Sequence, residues 1–107
     1  MALRELAVAP AAYQHTCTVA SGETWDPTAV TAGVIEWLNV ADNTEGEWSC
    51  DLSGASASGV VLTHVLQSGD LPEGSAGEWR FRPRLTLPSG TIYCAVVQRR
   101  VKGRFEP

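Results

Sequence analysis

The stretch WRFRPRLTL, residues 79–87, decides the fold class. Trp79, Phe81, Leu85 and Leu87 fall on one side of an extended chain, and Arg80, Arg82, Arg84 and Thr86 fall on the other. That period of two belongs to a strand with one face on a core and one in water. Pro83 has no N–H to give to a ladder, so the strand is expected at an edge or bulged at that point. Pro88, Ser89 and Gly90 then supply turn chemistry, and TIYCAVVQRRV, residues 91–101, resumes with β-branched and aromatic residues. The two runs read as a β-hairpin.

Working outward, similar runs recur upstream between turn-rich segments. YQHTCTV, residues 13–19, places Tyr13, His15, Cys17 and Val19 on one face. VIEWLNV, residues 34–40, carries Trp37 among branched residues, and EWSCDL, residues 47–52, alternates Trp48, Cys50 and Leu52 with polar neighbours. GVVLTHVL, residues 59–66, is apolar on both faces and is expected as a central strand. SGETWDP, ADNTEG, SGASASG and SGDLPEGSAG separate these runs and are rich in Gly, Ser, Asp and Pro. No helical apolar stripe exceeds two turns, apart from a short turn expected near residues 2–8 or 68–72. The expected fold is all-β, a small antiparallel sandwich of about seven strands.

With 107 residues, 44% hydrophobic and 19% charged, the chain is one globular domain able to bury a real core. No run approaches the roughly 20 apolar residues of a membrane helix. MALRELAVAPAAYQ lacks the apolar run of a secretory signal, so no signal is expected. Three widely spaced cysteines, Cys17, Cys50 and Cys94, are expected as reduced, buried thiols, with a disulfide between two of them left open. The net charge of −4 conceals an asymmetry. Residues 1–78 hold eleven acids and one base, and residues 79–107 hold seven bases and one acid. Arg80 to Arg84 are expected to pair with acids across the sheet. The tail QRRVKGRFEP is expected to leave the domain and dock on an acidic neighbour. An acidic balance overall argues against nucleic acid as the partner.

Chemistry-bearing groups are sparse. His15 and Cys17 share a strand face and could meet His64, but the close ligand pairs of a structural zinc site are missing. Asp70, in SGDLPEG, is expected to cap a turn by accepting from following amides; calcium would need more clustered oxygens than Glu73 and Glu78 add. No catalytic residue, metal ligand or cofactor is assigned. Of four tryptophans, Trp37, Trp48 and Trp79 fall within strand patterns, where packing is the ordinary role. Trp25 lies in a turn-like segment and is the one expected to be exposed, as a partner contact or a glycan platform. Partner-binding candidates are therefore Trp25, Arg99, Arg100, Lys102, Arg104 and Phe105. Docking arms are expected at 1–12 and 98–107.

Residues 59–101 carry a G-V-V strand, the Gly69-Asp70 turn, Gly77 with Trp79 opening a strand, and Ser89-Gly90 closing a hairpin. This order resembles the immunoglobulin-like domain of tailed-phage virion proteins, especially the amino-terminal domain of upper baseplate proteins. The resemblance covers about the last 40% of the chain, and residues 1–55 agree with the family only in part. It implies an Ig-like sandwich and a non-enzymatic structural protein of a virus particle, without cofactor. The implied partners are other phage structural proteins and further copies of the chain, with no membrane or nucleic acid. The implied location is the virion, in the tail, baseplate or fibre-attachment region. A capsid decoration protein is the alternative within that class. A glycan or host-surface binding module, using Trp25 and the loops, is the alternative outside it.

Overall fold

In the computed structural model, which describes residues 3–107, alternating strands wrap around a single aromatic core. The strands are β1 (Leu3–Arg4), β2 (Ala12–Thr18), β3 (Ala32–Asn39), β4 (Thr44–Ser53), β5 (Gly59–Val65), β6 (Gly77–Leu87), β7 (Gly90–Tyr93) and β8 (Val97–Lys102). Their order is β1-β8-β6-β3-β4-β5-β2, with β7 also on β6. The consecutive strands β3, β4 and β5 form a meander, and β6 returns beside β3, which is a Greek key. The long β4 joins the two layers. Up to Cys50 it pairs with β3, and from Asp51 to Ser53 it pairs with β5. The protein is thus an all-β sandwich with eight strands, strongly curved toward a barrel.

The alternation of residues 79–87 is realised as expected. Trp79, Phe81, Leu85 and Leu87 are buried, while Arg80, Arg82 and Thr86 are exposed. β6 is nevertheless a central strand, between β3 and the β7–β8 margin. Neither setting expected for Pro83 is present: β6 is no edge, and its register with β3 runs unbroken through Pro83 opposite Ile35, so the irregularity lies on the β7–β8 side. Phe81 opposes Val97 and Arg84 opposes Tyr93, so two β6 residues face three across the gap. The missing N–H therefore costs no ladder bond there, and the Pro83 carbonyl accepts from Cys94 N at 2.9 Å. The hairpin turn is Pro88-Ser89, closed by Gly90 at φ 146°, a value only glycine adopts readily. β5 lies between β4 and β2, as its two-sided apolar pattern requires.

Of the arginine row, Arg82 and Arg84 pair across the sheet as expected, while Arg80 pairs along its own strand with Glu78 at 3.5 Å. Arg82 bridges Glu36 at 2.6 Å, and Arg84 bridges both Glu36 at 3.0 Å and Glu47 at 2.6 Å. Inside, Tyr13 stacks on Phe81 with centroids 4.6 Å apart, joining the two layers, while Trp48 and Trp79 complete the aromatic centre.

Both expected arms belong to the domain instead. Residues 98–102 are part of β8, with Val101 completely buried, because Val97 and Val101 continue the inward alternation beside Phe81 and Gly77. Leu3 is buried too, and β1 pairs in parallel with β8, the one parallel ladder among otherwise antiparallel ones in the described residues. Residues 5–12 are tied back by bonds such as Leu6 N to Leu71 O. Met1 and Ala2, at the start of the expected first arm, lie outside the described residues. The 3-10 helix among the described residues is Pro27–Ala29, capped by Asp26, while the ranges 2–8 and 68–72 hold single turns closed by Ala7 N to Arg4 O and Asp70 N to Gln67 O.

Candidate functional site

The six residues singled out for partner contact are divided by the fold into two places. Arg100, Lys102, Arg104 and Phe105 gather at the C-terminal end, beyond or along β8. There the chain folds back through charge-assisted bonds. Glu106 Oε1 accepts from Gly103 N at 2.9 Å and from Arg100 Nη2 at 2.7 Å. Those bonds, the Gly103 amide first, hold the Glu106 carboxyl below its ordinary range. Arg4 donates to the carbonyls of Gly103 and Glu106, and Lys102 Nζ donates to Pro107 O. Arg104 bridges Glu73 at 3.0 Å and lies over the Phe105 ring. Phe105 itself is 87% exposed. The basic tail thus spends much of its charge on this chain's own carboxylates and carbonyls, and what it offers outward is an aromatic ring.

Trp25 and Arg99 belong to a second place, the seam between β2 and the β7–β8 margin. No ladder pairing joins β2 to β7 or β8 among the described residues. A groove of about 280 Å³ runs there, lined among others by His15, Cys17, Glu23, Trp25, Tyr93 and Cys94. Trp25 is half-buried against the core rather than exposed, and its Nε1 donates to Glu23 Oε1 at 3.4 Å. Glu23 Oε1 also accepts from Ala20 N at 2.7 Å, which fixes the loop that brings the indole inward. Arg99 shares the inward side of β8 with Val97 and Val101, since it opposes Trp79. From the rim of the seam its charge acts on Tyr13 and His15. Burial lowers the pKa of His15, with Arg99 adding to the effect. Burial pushes the Tyr13 hydroxyl up to about 12, against the pull of Arg99.

The three thiols are free and differ in setting. The buried Cys17 and the groove-lining Cys94 act on each other at the seam, which raises the Cys17 thiol and lowers that of Cys94. Burial pushes Cys50 up to about 11. His64 lies apart from His15 and Cys17. Its ring stacks on Trp48 at 4.8 Å, and its nitrogens face Ser49 O at 2.8 Å and Asp70 Oδ2 at 2.7 Å. Asp70 does fix its turn, but by accepting from the preceding amide of Gln67 at 2.8 Å rather than from following ones. Among the described residues no cluster of His, Cys, Asp and Glu is arranged to hold a metal ion. No family model matches this chain, and no curated protein or solved structure matches it either.

Sequence reasoning missed a further group, Trp37, Asn39 and Ser75, which meet in one cavity at the far end of β3. Asn39 continues the inward register of Gly33, Ile35 and Trp37, so a polar residue at a core-facing position was the available signal.

Proposed function

We propose that the protein is a non-catalytic docking module, built into a larger assembly of the kind found in the tails and baseplates of phage particles. The observation that carries this reading is Phe105. An 87% exposed ring is held on a tail whose backbone is fixed by Arg4, Arg100 and Glu106. An exposed ring on a backbone held by such bonds loses little entropy when a neighbour covers it. Large aromatics in that position are the usual anchors of protein interfaces. The unpaired edge of β2 and the half-exposed Tyr93 and Val96 beside the seam extend the surface available to a neighbour. The Greek-key sandwich is compatible with the Ig-like resemblance of residues 59–101, and that resemblance supplies the phage context. The occupants of this surface are other structural proteins of the particle or further copies of this chain.

Quantitative mass spectrometry on purified particles, separated into heads and tails, tests the location. A copy number at a small multiple of three or six in the tail fraction is expected, by the symmetry of such assemblies. Lattice copy numbers in the head fraction would assign a decoration protein, and absence from both fractions overturns the phage reading. Phe105→Ala tests the anchor. It should leave the melting temperature unchanged and lower incorporation about thirtyfold, the effect of losing an aromatic hot spot of ~2 kcal/mol. Unchanged incorporation removes Phe105 from the interface.

A further inference from the structure

The cavity at the far end of β3 has a property that the docking surface does not explain. Three buried side-chain polar atoms lack a hydrogen-bond partner among the described residues: Trp37 Nε1, Asn39 Oδ1 and Ser75 Oγ. All three residues line the same cavity, of about 360 Å³, together with Trp48 and Trp79. Asn39 is 3% exposed and Ser75 is 2% exposed. An orphaned buried polar group costs about 1–3 kcal/mol, so native proteins rarely leave one without a reason. The atoms themselves are covered, but the residues that carry all three line one concave space, so a ligand seated there could complete them after small side-chain rotations.

Their arrangement is specified by the fold. Gly46 opposes Trp37 across the β3–β4 ladder, and a Cβ there would lie 2.6 Å from the indole, so only glycine lets the ring lie over β4. Asn39 Nδ2 donates to Asp42 Oδ2 at 3.4 Å, which turns the amide oxygen away as the free acceptor. The Ser75 carbonyl accepts from Trp79 Nε1 at 2.8 Å, anchoring Ser75 beside the indoles and leaving its hydroxyl unengaged.

The chemistry of the free atoms selects the ligand. Trp37 Nε1 only donates, Asn39 Oδ1 only accepts, and the Ser75 hydroxyl does both. A cation would meet the indole N–H head-on, and the carboxylates around the cavity are largely answered already. Glu47 pairs with Arg84 at 2.6 Å, Glu73 with Arg104 at 3.0 Å, and Asp70 with His64 at 2.7 Å. Among the described residues Asp42 has no cationic partner, and it is a further acceptor of hydroxyl hydrogens. An anion would find this acidic rim repulsive and no lining cation to hold it. What fits is an uncharged ligand whose groups both donate and accept and whose C–H face can rest on an indole. We propose that the Trp37–Asn39–Ser75 cavity binds a single ring of a neutral saccharide.

The test follows the Trp37 indole N–H by NMR while a panel of neutral hexoses and their methyl glycosides is added. Glucosamine and glucuronate serve as charged controls. At least one neutral sugar should shift the signal saturably, with a dissociation constant in the millimolar range, about −4 kcal/mol. The charged controls should bind more weakly. Equal binding of free and methyl-capped forms assigns the terminus of a glycan, and binding of the free form alone assigns a free sugar; either supports the site. Ser75→Ala removes a hydroxyl with no partner among the described residues, so it should melt no lower than the parent while binding about tenfold more weakly. Trp37→Phe keeps a ring and loses the N–H, and should show a similar loss by calorimetry. The proposal is overturned by the absence of any saturable shift, by a stronger response to the charged sugars, or by undiminished binding in both variants.

Discussion

β6 and β2 both contribute to the core, but β6 is bonded on both edges and β2 on one. β6 runs along β3 without interruption from Trp79 opposite Asn39 to Thr86 opposite Ala32, with β8 and β7 on its other side. β2 has a complete ladder to β5, from Ala12 opposite Val65 to Thr18 opposite Gly59, and then faces a groove. On the sealed side the ladder holds the walls together. On the seam side the walls are held by side chains reaching across, Tyr13 on Phe81 foremost. The groove, the Cys17–Cys94 pair and the shifted Tyr13 and His15 collect at the seam, where backbone pairing stops. A protein that closed its barrel completely would have no such surface.

The largest effect should come from removing the ring on which both sides meet. Phe81 is fully buried and packs against Tyr13, Trp48 and Trp79, so Phe81→Ala should cost about 3–5 kcal/mol in urea denaturation. Ile92, on β7 and only half-buried at the seam, should cost about 1–2 kcal/mol as Ile92→Ala. Equal losses at the two positions would mean that the seam is as tightly packed as the sealed side, and the contrast would fail.

That contrast was only partly open to a reader of the sequence. The alternation of residues 79–87 is a local property of one strand, and it identified the buried face, though not the setting of Pro83. The seam is a relation between residues 17 and 94, set by which strands fail to pair, and no local pattern records an absent ladder. The tail was misjudged for a related reason. Arg99, Arg100 and Lys102 dominate the composition of residues 98–102, yet the inward positions Val97 and Val101 decide where the chain goes. Trp25 was expected outside because SGETWDP reads as a turn, and turns are usually exposed. Here Glu23 and the Asp26 cap fold that loop so that the indole covers the groove. The indole cavity needed both the register of β3 and the position of Ser75, thirty-six residues beyond Asn39. Only the register was legible.

A smaller effect is expected on the outer face of the sealed side. Arg84 makes two ion pairs, with Glu36 and Glu47, but the groups are partly solvated and screened. Arg84→Ala should therefore cost less than about 1 kcal/mol at moderate salt. A loss as large as that of Phe81→Ala would locate the stability of this sheet in its charges rather than in its core.

The smallest change in stability, and the sharpest chemical contrast, should come from alkylating the seam thiol. Cys94 lines the groove, and its neighbour Cys17 lowers its pKa. Cys50 is half-buried on β4, with its thiol pushed up to about 11 by burial, so at pH 8 only about one in a thousand is thiolate. Cys17 reaches the same groove but is buried, and Cys94 and burial both raise its thiol. Iodoacetamide at pH 8, followed by peptide mass spectrometry, should label Cys94 at least tenfold faster than Cys50, with Cys17 reacting only after Cys94. Because Cys94 sits where no ladder crosses, a single adduct should leave the melting temperature nearly unchanged. If Cys50 were labelled first, the opening in the structure would lie along β4 instead, and the seam would not be the side of the molecule where chemistry is accessible.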